Sequence, residues 1–243
     1  MYMNKAKKER EEYILSRFVS NPALGMMISG IVPMDPPDFK IRRYNNDRFQ
    51  DIGVELTTVT NPDLKAKEAA QDRIVPDAYL LFKSEFEEVL RVFVNFKINV
   101  AVPRDPPSLN ALSQELFEMV KTIHLNNSGY NFYLTSKDLK FKHKIFDGIT
   151  ISNELNYEDW RPFGAFKVPY IDEAWFAEKI RRKEEILQTY SNKFEENWLV
   201  MIANFGHQST AFQFSNLLES FDQSPFDRIF IYNYFPNKIK IVK

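Results

Sequence analysis

Trp198-Leu199-Val200-Met201-Ile202-Ala203 is an unbroken apolar run. A strand with one wet face alternates apolar and polar residues, so a continuous run of this length belongs to a strand covered on both faces. Arg228 to Phe235 contains a second such run, Ile229-Phe230-Ile231-Tyr232. Strands of this kind need helices on both sides of the sheet, and an α/β architecture is therefore expected. Residues 238–243, Lys-Ile-Lys-Ile-Val-Lys, alternate in the manner of an edge strand.

A third strand is expected over 51–59, Asp51-Ile52-Gly53-Val54-Glu55-Leu56-Thr57-Thr58-Val59. Strand periodicity puts Val54, Leu56 and Thr58 on one face and Glu55, Thr57 and Val59 on the other. A carboxylate within such a segment is costly to desolvate unless a positive group meets it. Asp38 follows Pro36-Pro37 at the start of another expected strand, 38–43. Two short neighbouring strands would bring Asp38 and Glu55 level, where one Mg²⁺ would relieve their repulsion. The plainer reading makes Asp38 a turn cap and Glu55 the partner of a surface Lys or Arg.

Helices are expected at 4–19, stopped by Asn21-Pro22, and at 171–191, where Asp172 and Glu173 suit the first turn. At about 100° per residue, Phe176, Ile180, Leu187 and Tyr190 form one stripe of the second helix. Lys183 falls inside that stripe, and its amine needs an anionic partner or a route to water. In the first helix Glu11 shares a side with Ile14, Leu15 and Phe18; pairing with Lys7 or Lys8 is the alternative. A short strand at 26–32 completes this part. The middle of the chain reads as helices at 62–72, 77–91 and 109–124 (N-cap Ser108), with extended segments at 92–102, 130–135 and 141–152.

Composition narrows the chemistry. There is no Cys, which removes disulfides, thiolate metal sites and a cysteine nucleophile. The three histidines, His124, His143 and His207, lack metal-ligand spacing. No glycine-rich phosphate loop and no G-x-S-x-G elbow is present. A formal net charge of -1 does not announce a polyanionic partner. The clusters Arg42-Arg43, Arg181-Arg182 and 137–144 read as solvated faces, with phosphate contact as the alternative. No apolar run reaches the ~18 residues of a membrane span, and residues 1–14 show no apolar signal region. A soluble, cytoplasmic protein with no membrane partner is the expectation.

The order of these elements, with Pro37-Asp38, Glu55-Leu56-Thr57 and an inward Lys183 and Tyr190, resembles the PD-(D/E)xK nuclease-like (restriction-endonuclease-like) superfamily, in particular its bacterial members. The resemblance covers helix 4–19, strands 26–32, 38–43 and 51–59, helix 171–191 and the strand near 197–204. It implies a restriction-endonuclease-like core, a mixed central sheet flanked by helices, formed by 1–59 and 171–243, with 60–170 as a large α+β insertion. It also implies that Asp38 and Glu55 are Mg²⁺ ligands, with Glu11 as a further candidate ligand. Thr57 stands where the family has its lysine; Lys183 is the first candidate to replace it, and Lys40 the second. The implied activity is Mg²⁺-dependent phosphodiester hydrolysis, with DNA favoured over RNA and a homodimer allowed. Two other readings stay open: a nuclease-fold binding protein without catalysis, and an unrelated α/β protein whose aromatic-rich insertion binds a partner.

Overall fold

In a computed structural model, the structure describes residues 2–243 apart from 46, 99, 165, 167, 192, 205, 216 and 218–220. In chain order the elements are α1 (Tyr2–Val19), β1 (Met27–Pro33), β2 (Phe39–Asn45), β3 (Arg48–Thr58), α2 (Pro62–Glu85), β4 (Arg91–Phe96), α3 (Pro106–Asn126), β5 (Tyr133–Leu134), β6 (Phe146–Ser152) and β7 (Asp159–Pro162). α4 (Glu173–Leu187), β8 (Glu196–Ala203), β9 (Arg228–Asn233) and β10 (Lys238–Ile241) follow. The chain divides into two compact units, Met1–Asn61 with Val168–Lys243, and Pro62–Lys167. Both are α/β units with mixed sheets and packed helices.

The first unit is built on a six-stranded sheet in the order β1-β2-β3-β8-β9-β10. β3, β8 and β9 run parallel, and antiparallel pairs close both sides. Trp198, Val200 and Ile202 face one way, packing with Ile14, Leu15 and Phe18 of α1. Leu199, Met201 and Ala203 face the other way, packing with Phe176 and Ile180 of α4. The unbroken apolar run of 198–203 is thus a central strand buried on both sides.

The second unit has a four-stranded sheet, β5-β6-β4-β7, with β4 and β7 parallel. Several element limits differ from the sequence reading, each for a physical reason. Residues 62–85 form one helix through Pro76, because the stripe Ala70, Ile74, Val75, Ala78 and Phe82 is buried on both sides of the proline. That burial offsets the ~3 kcal/mol an interior proline costs. α3 begins at Pro106: Asp105 accepts the Ser108 amide at 2.9 Å, and the prolines fill positions whose amides have no helical partner. The strand read over 92–102 ends at Phe96, the last residue paired with β6 and the one that follows a bulge after Asn95; residue 99 lies outside the described residues. The strand of 141–152 is paired over Phe146–Ser152, and β7 has no counterpart in the sequence reading. α4 ends at Leu187, so Tyr190 lies in the following turn, its amide on the Leu187 carbonyl at 3.2 Å.

Candidate active site

β2 and β3 pair in antiparallel register with Phe39 opposite Val54. One step further, Asp38 stands opposite Glu55, on the sheet face that α4 covers. Asp38 Oδ2 accepts the Leu56 amide at 2.9 Å, which ties the residue before β2 to the neighbouring strand. Glu55 is 6 % exposed. Its Oε1 accepts from Lys183 Nζ at 2.7 Å, and its Oε2 accepts from the Tyr190 hydroxyl. The apolar stripe of α4 therefore carries the lysine amine to a buried carboxylate rather than to water.

Gly53 permits the approach of the segment after α4. A Cβ there would stand 2.8 Å from Phe194 Cδ2, so a side chain at 53 would push Phe194 and its segment away from the sheet. Tyr190 belongs to the same segment.

α1 enters from the other side of Asp38. Lys8 Nζ donates to the carbonyls of Met34 and Asp38 at 3.0 and 2.8 Å, lies 3.9 Å from Asp38 Oδ1, and sits 4.5 Å from the Phe39 ring centroid. Glu11, half-buried on the same helix, is 3.5 Å from Lys7 Nζ. Lys40 Nζ lies 3.2 Å from Asp51 Oδ2, and Asp51 also receives Arg42 Nε at 2.8 Å. Lys40 is thus committed to Asp51, and Lys183 is the lysine at Glu55. Thr57 is half-buried on the same strand.

The electrostatics follow from this crowding. Burial, and then the neighbouring Glu55 charge, hold the Asp38 pKa above its usual value; the Leu56 amide and Lys8 pull it down, and Glu11 pushes it up again. The Tyr190 phenol is pushed far up by burial, by its bond to Glu55 and by the charges of Asp38 and Asp35, so it remains a proton donor at neutral pH. Asp38, Glu55, Lys8 and Lys183 carry two negative and two positive charges in formal terms.

Whether the residues suit a divalent ion turns on free lone pairs. Asp38 Oδ1 has Lys8 at 3.9 Å as its nearest described cation, and each Glu55 oxygen keeps a lone pair beyond the one it shares. Mg²⁺ is commonly held by one or two carboxylates, completing its shell with water and substrate phosphate. Two hard carboxylates that repel one another fit that pattern. Among the described residues, no three His, Asp or Glu side chains gather into a metal-holding group.

Lys8 is the contributor that the sequence reading leaves out of this site, although it shares the stripe of Glu11, Leu15 and Phe18 at helical spacing. Tyr190, which helical spacing puts on the stripe of Lys183, reaches Glu55 from the turn after α4.

Comparison with family models, with curated proteins and with solved structures finds no match for this chain. No described helix is long and apolar enough to cross a membrane.

Proposed function

We propose that the protein hydrolyses phosphodiester bonds, with DNA as the favoured polymer, using Mg²⁺ held by Asp38 and Glu55 on a restriction-endonuclease-like core. The observation that supports this most is Asp38, just before β2, held beside Glu55 of β3 by the Leu56 amide at 2.9 Å, with the Lys183 ammonium 2.7 Å from Glu55. The succession α1-β1-β2-β3-α4-β8 follows the helix, three strands, helix, strand order of that superfamily, with the second unit between β3 and α4. When bound, the metal ion would lower the pKa of a coordinated water and share the charge that develops on the phosphate.

The chain's own residues divide the remaining work. Asp38 and Glu55 would supply the anionic ligands. Lys183 provides the charge that Thr57 cannot, from α4 instead of β3, and would orient water or neutralise a phosphate oxygen. Tyr190 keeps its proton and fixes the Glu55 rotamer. Lys8 holds the chain before β2, and with it Asp38, in place.

The test is cleavage of labelled duplex and plasmid DNA in Mg²⁺ or Mn²⁺. EDTA should abolish cleavage, and Asp38→Asn, Glu55→Gln and Lys183→Met should each lower it by on the order of 100-fold or more. Cleavage that survives Glu55→Gln would belong to another site and would refute the proposal. The occupation of both Glu55 oxygens by Lys183 and Tyr190 favours a second reading, a binding protein that keeps the core without catalysis. Under that reading no divalent ion supports cleavage, while DNA binding persists.

A further inference from the structure

Both helices of the second unit pack on one face of its sheet, the face of Val92, Val94, Ile149 and Ile151. Strand alternation sends Arg91, Phe93 and Asn95 of β4 to the opposite face. The strand registers set Arg161 and Thr150 beside Phe93, and place Tyr133 of β5 in line with Arg91 across Ser152. Phe163, two residues after Arg161, shares this face, its amide bonded to the Val94 carbonyl at 2.9 Å.

Aromatic rings, two guanidinium groups and the Asp159 carboxylate, in register beside Arg91, occupy this face. The Arg91 and Arg161 guanidinium carbons lie 5.0 and 4.9 Å from the Phe93 ring centroid. The Phe163 ring is 5.3 Å from Phe93 with a tilt of 30°. Phe163 is 58 % exposed and Tyr133 55 %. Arg161 Nε is 3.2 Å from Asp159. Arg91 Nε and Asn95 Oδ1, at either side of Phe93, are buried without a hydrogen-bond partner among the described residues.

We propose that this sheet face binds single-stranded nucleic acid, with bases stacked on Phe163 and Tyr133 and phosphates met by Arg91 and Arg161. A sheet face with exposed rings pairs with bases that have left the duplex stack, because only those present a free π-face. Guanidinium groups among the rings add phosphate attraction and cation–π contact. The inference goes beyond hydrolysis: it concerns the second unit alone and needs neither Asp38, Glu55 nor a metal ion.

The test is fluorescence anisotropy of labelled dT and rU oligonucleotides and of a duplex of equal length, with the whole chain in EDTA. Single strands should bind more tightly than the duplex, dT and rU separating DNA from RNA, and binding of either supports the proposal. Phe163→Ala and Tyr133→Ala should each weaken binding by about 5- to 100-fold. Arg161→Gln should reduce the slope of log affinity against log salt by about 0.7. Binding should persist in EDTA, where hydrolysis is abolished, which separates this inference from the hydrolytic one. Both mutated rings are exposed, so circular dichroism should confirm intact variants. Equal binding of duplex and single strand, or single-strand affinity that neither ring variant moves by more than about twofold, overturns the proposal and assigns the face to a different class of partner.

Discussion

Replacing Lys183 by Met tests how strongly the α4 lysine is bound to the buried Glu55. At 2.7 Å, with an effective dielectric of ~20, two unit charges attract by about 6 kcal/mol. Desolvation cancels much of this, and breaking a fully buried pair costs ~3–5 kcal/mol. The Lys183 side chain is 22 % exposed and that of Glu55 8 %, so partial screening brings the expected loss to ~2–4 kcal/mol. Most of that loss is the penalty of a carboxylate left without its cation. Glu55→Gln in the Lys183→Met background should therefore recover stability, giving a coupling of about 2 kcal/mol or more in a double-mutant cycle. Because the chain has two units, hydrogen exchange read on peptides from β3 and β8 is the suitable assay. A coupling below about 0.5 kcal/mol would refute the reasoning.

Three further outcomes are expected. The raised Asp38 pKa means that, above the ordinary 3.8, the folded chain holds its proton longer than the unfolded chain, so this group's contribution to stability declines as pH rises through the folded-state pKa. Asp38→Asn should thus stabilise the first unit at pH ~7, with the gain vanishing below the unfolded-state pKa; denaturation at both pH values checks it, and a loss at neutral pH contradicts it. Tyr190→Phe removes a donor to a charged acceptor and should cost about 1–2 kcal/mol in exchange protection of β3; an unchanged rate would show that the hydroxyl contributes nothing. Arg43 is 6 % exposed and bonds Glu196 and Gln50, so Arg43→Met should cost about 2–4 kcal/mol, measured at β8. Arg228, 3.6 Å from Glu196, limits that loss.

The sheet was legible wherever burial alone set the residue pattern. Residues 198–203 and 229–232 are apolar throughout because helix or chain covers both faces, and that requirement leaves a direct mark in sequence. Helical spacing likewise puts Lys183 between Ile180 and Leu187, and its amine is found on Glu55. What pattern cannot convey is contact made across turns and register. Tyr190 lies past the end of α4, and Lys8 acts on carbonyls about 30 residues away in sequence. Pro76 reads as a break because the local cost of proline is visible, whereas the buried stripe that sustains α2 draws on the whole unit. β7 is a short partner strand, and its pairing with β4 is decided by tertiary context.

The metal-binding claim meets its most direct test in anomalous scattering from crystals soaked in Mn²⁺, with Mg²⁺ as competitor. One anomalous peak is expected between Asp38 Oδ1 and the Glu55 carboxylate, at oxygen distances of ~2.1 Å, displaced by excess Mg²⁺ and absent in Asp38→Asn. Crystals of the native protein with no peak there, and with Lys183 and Tyr190 still bonded to both Glu55 oxygens, would contradict it.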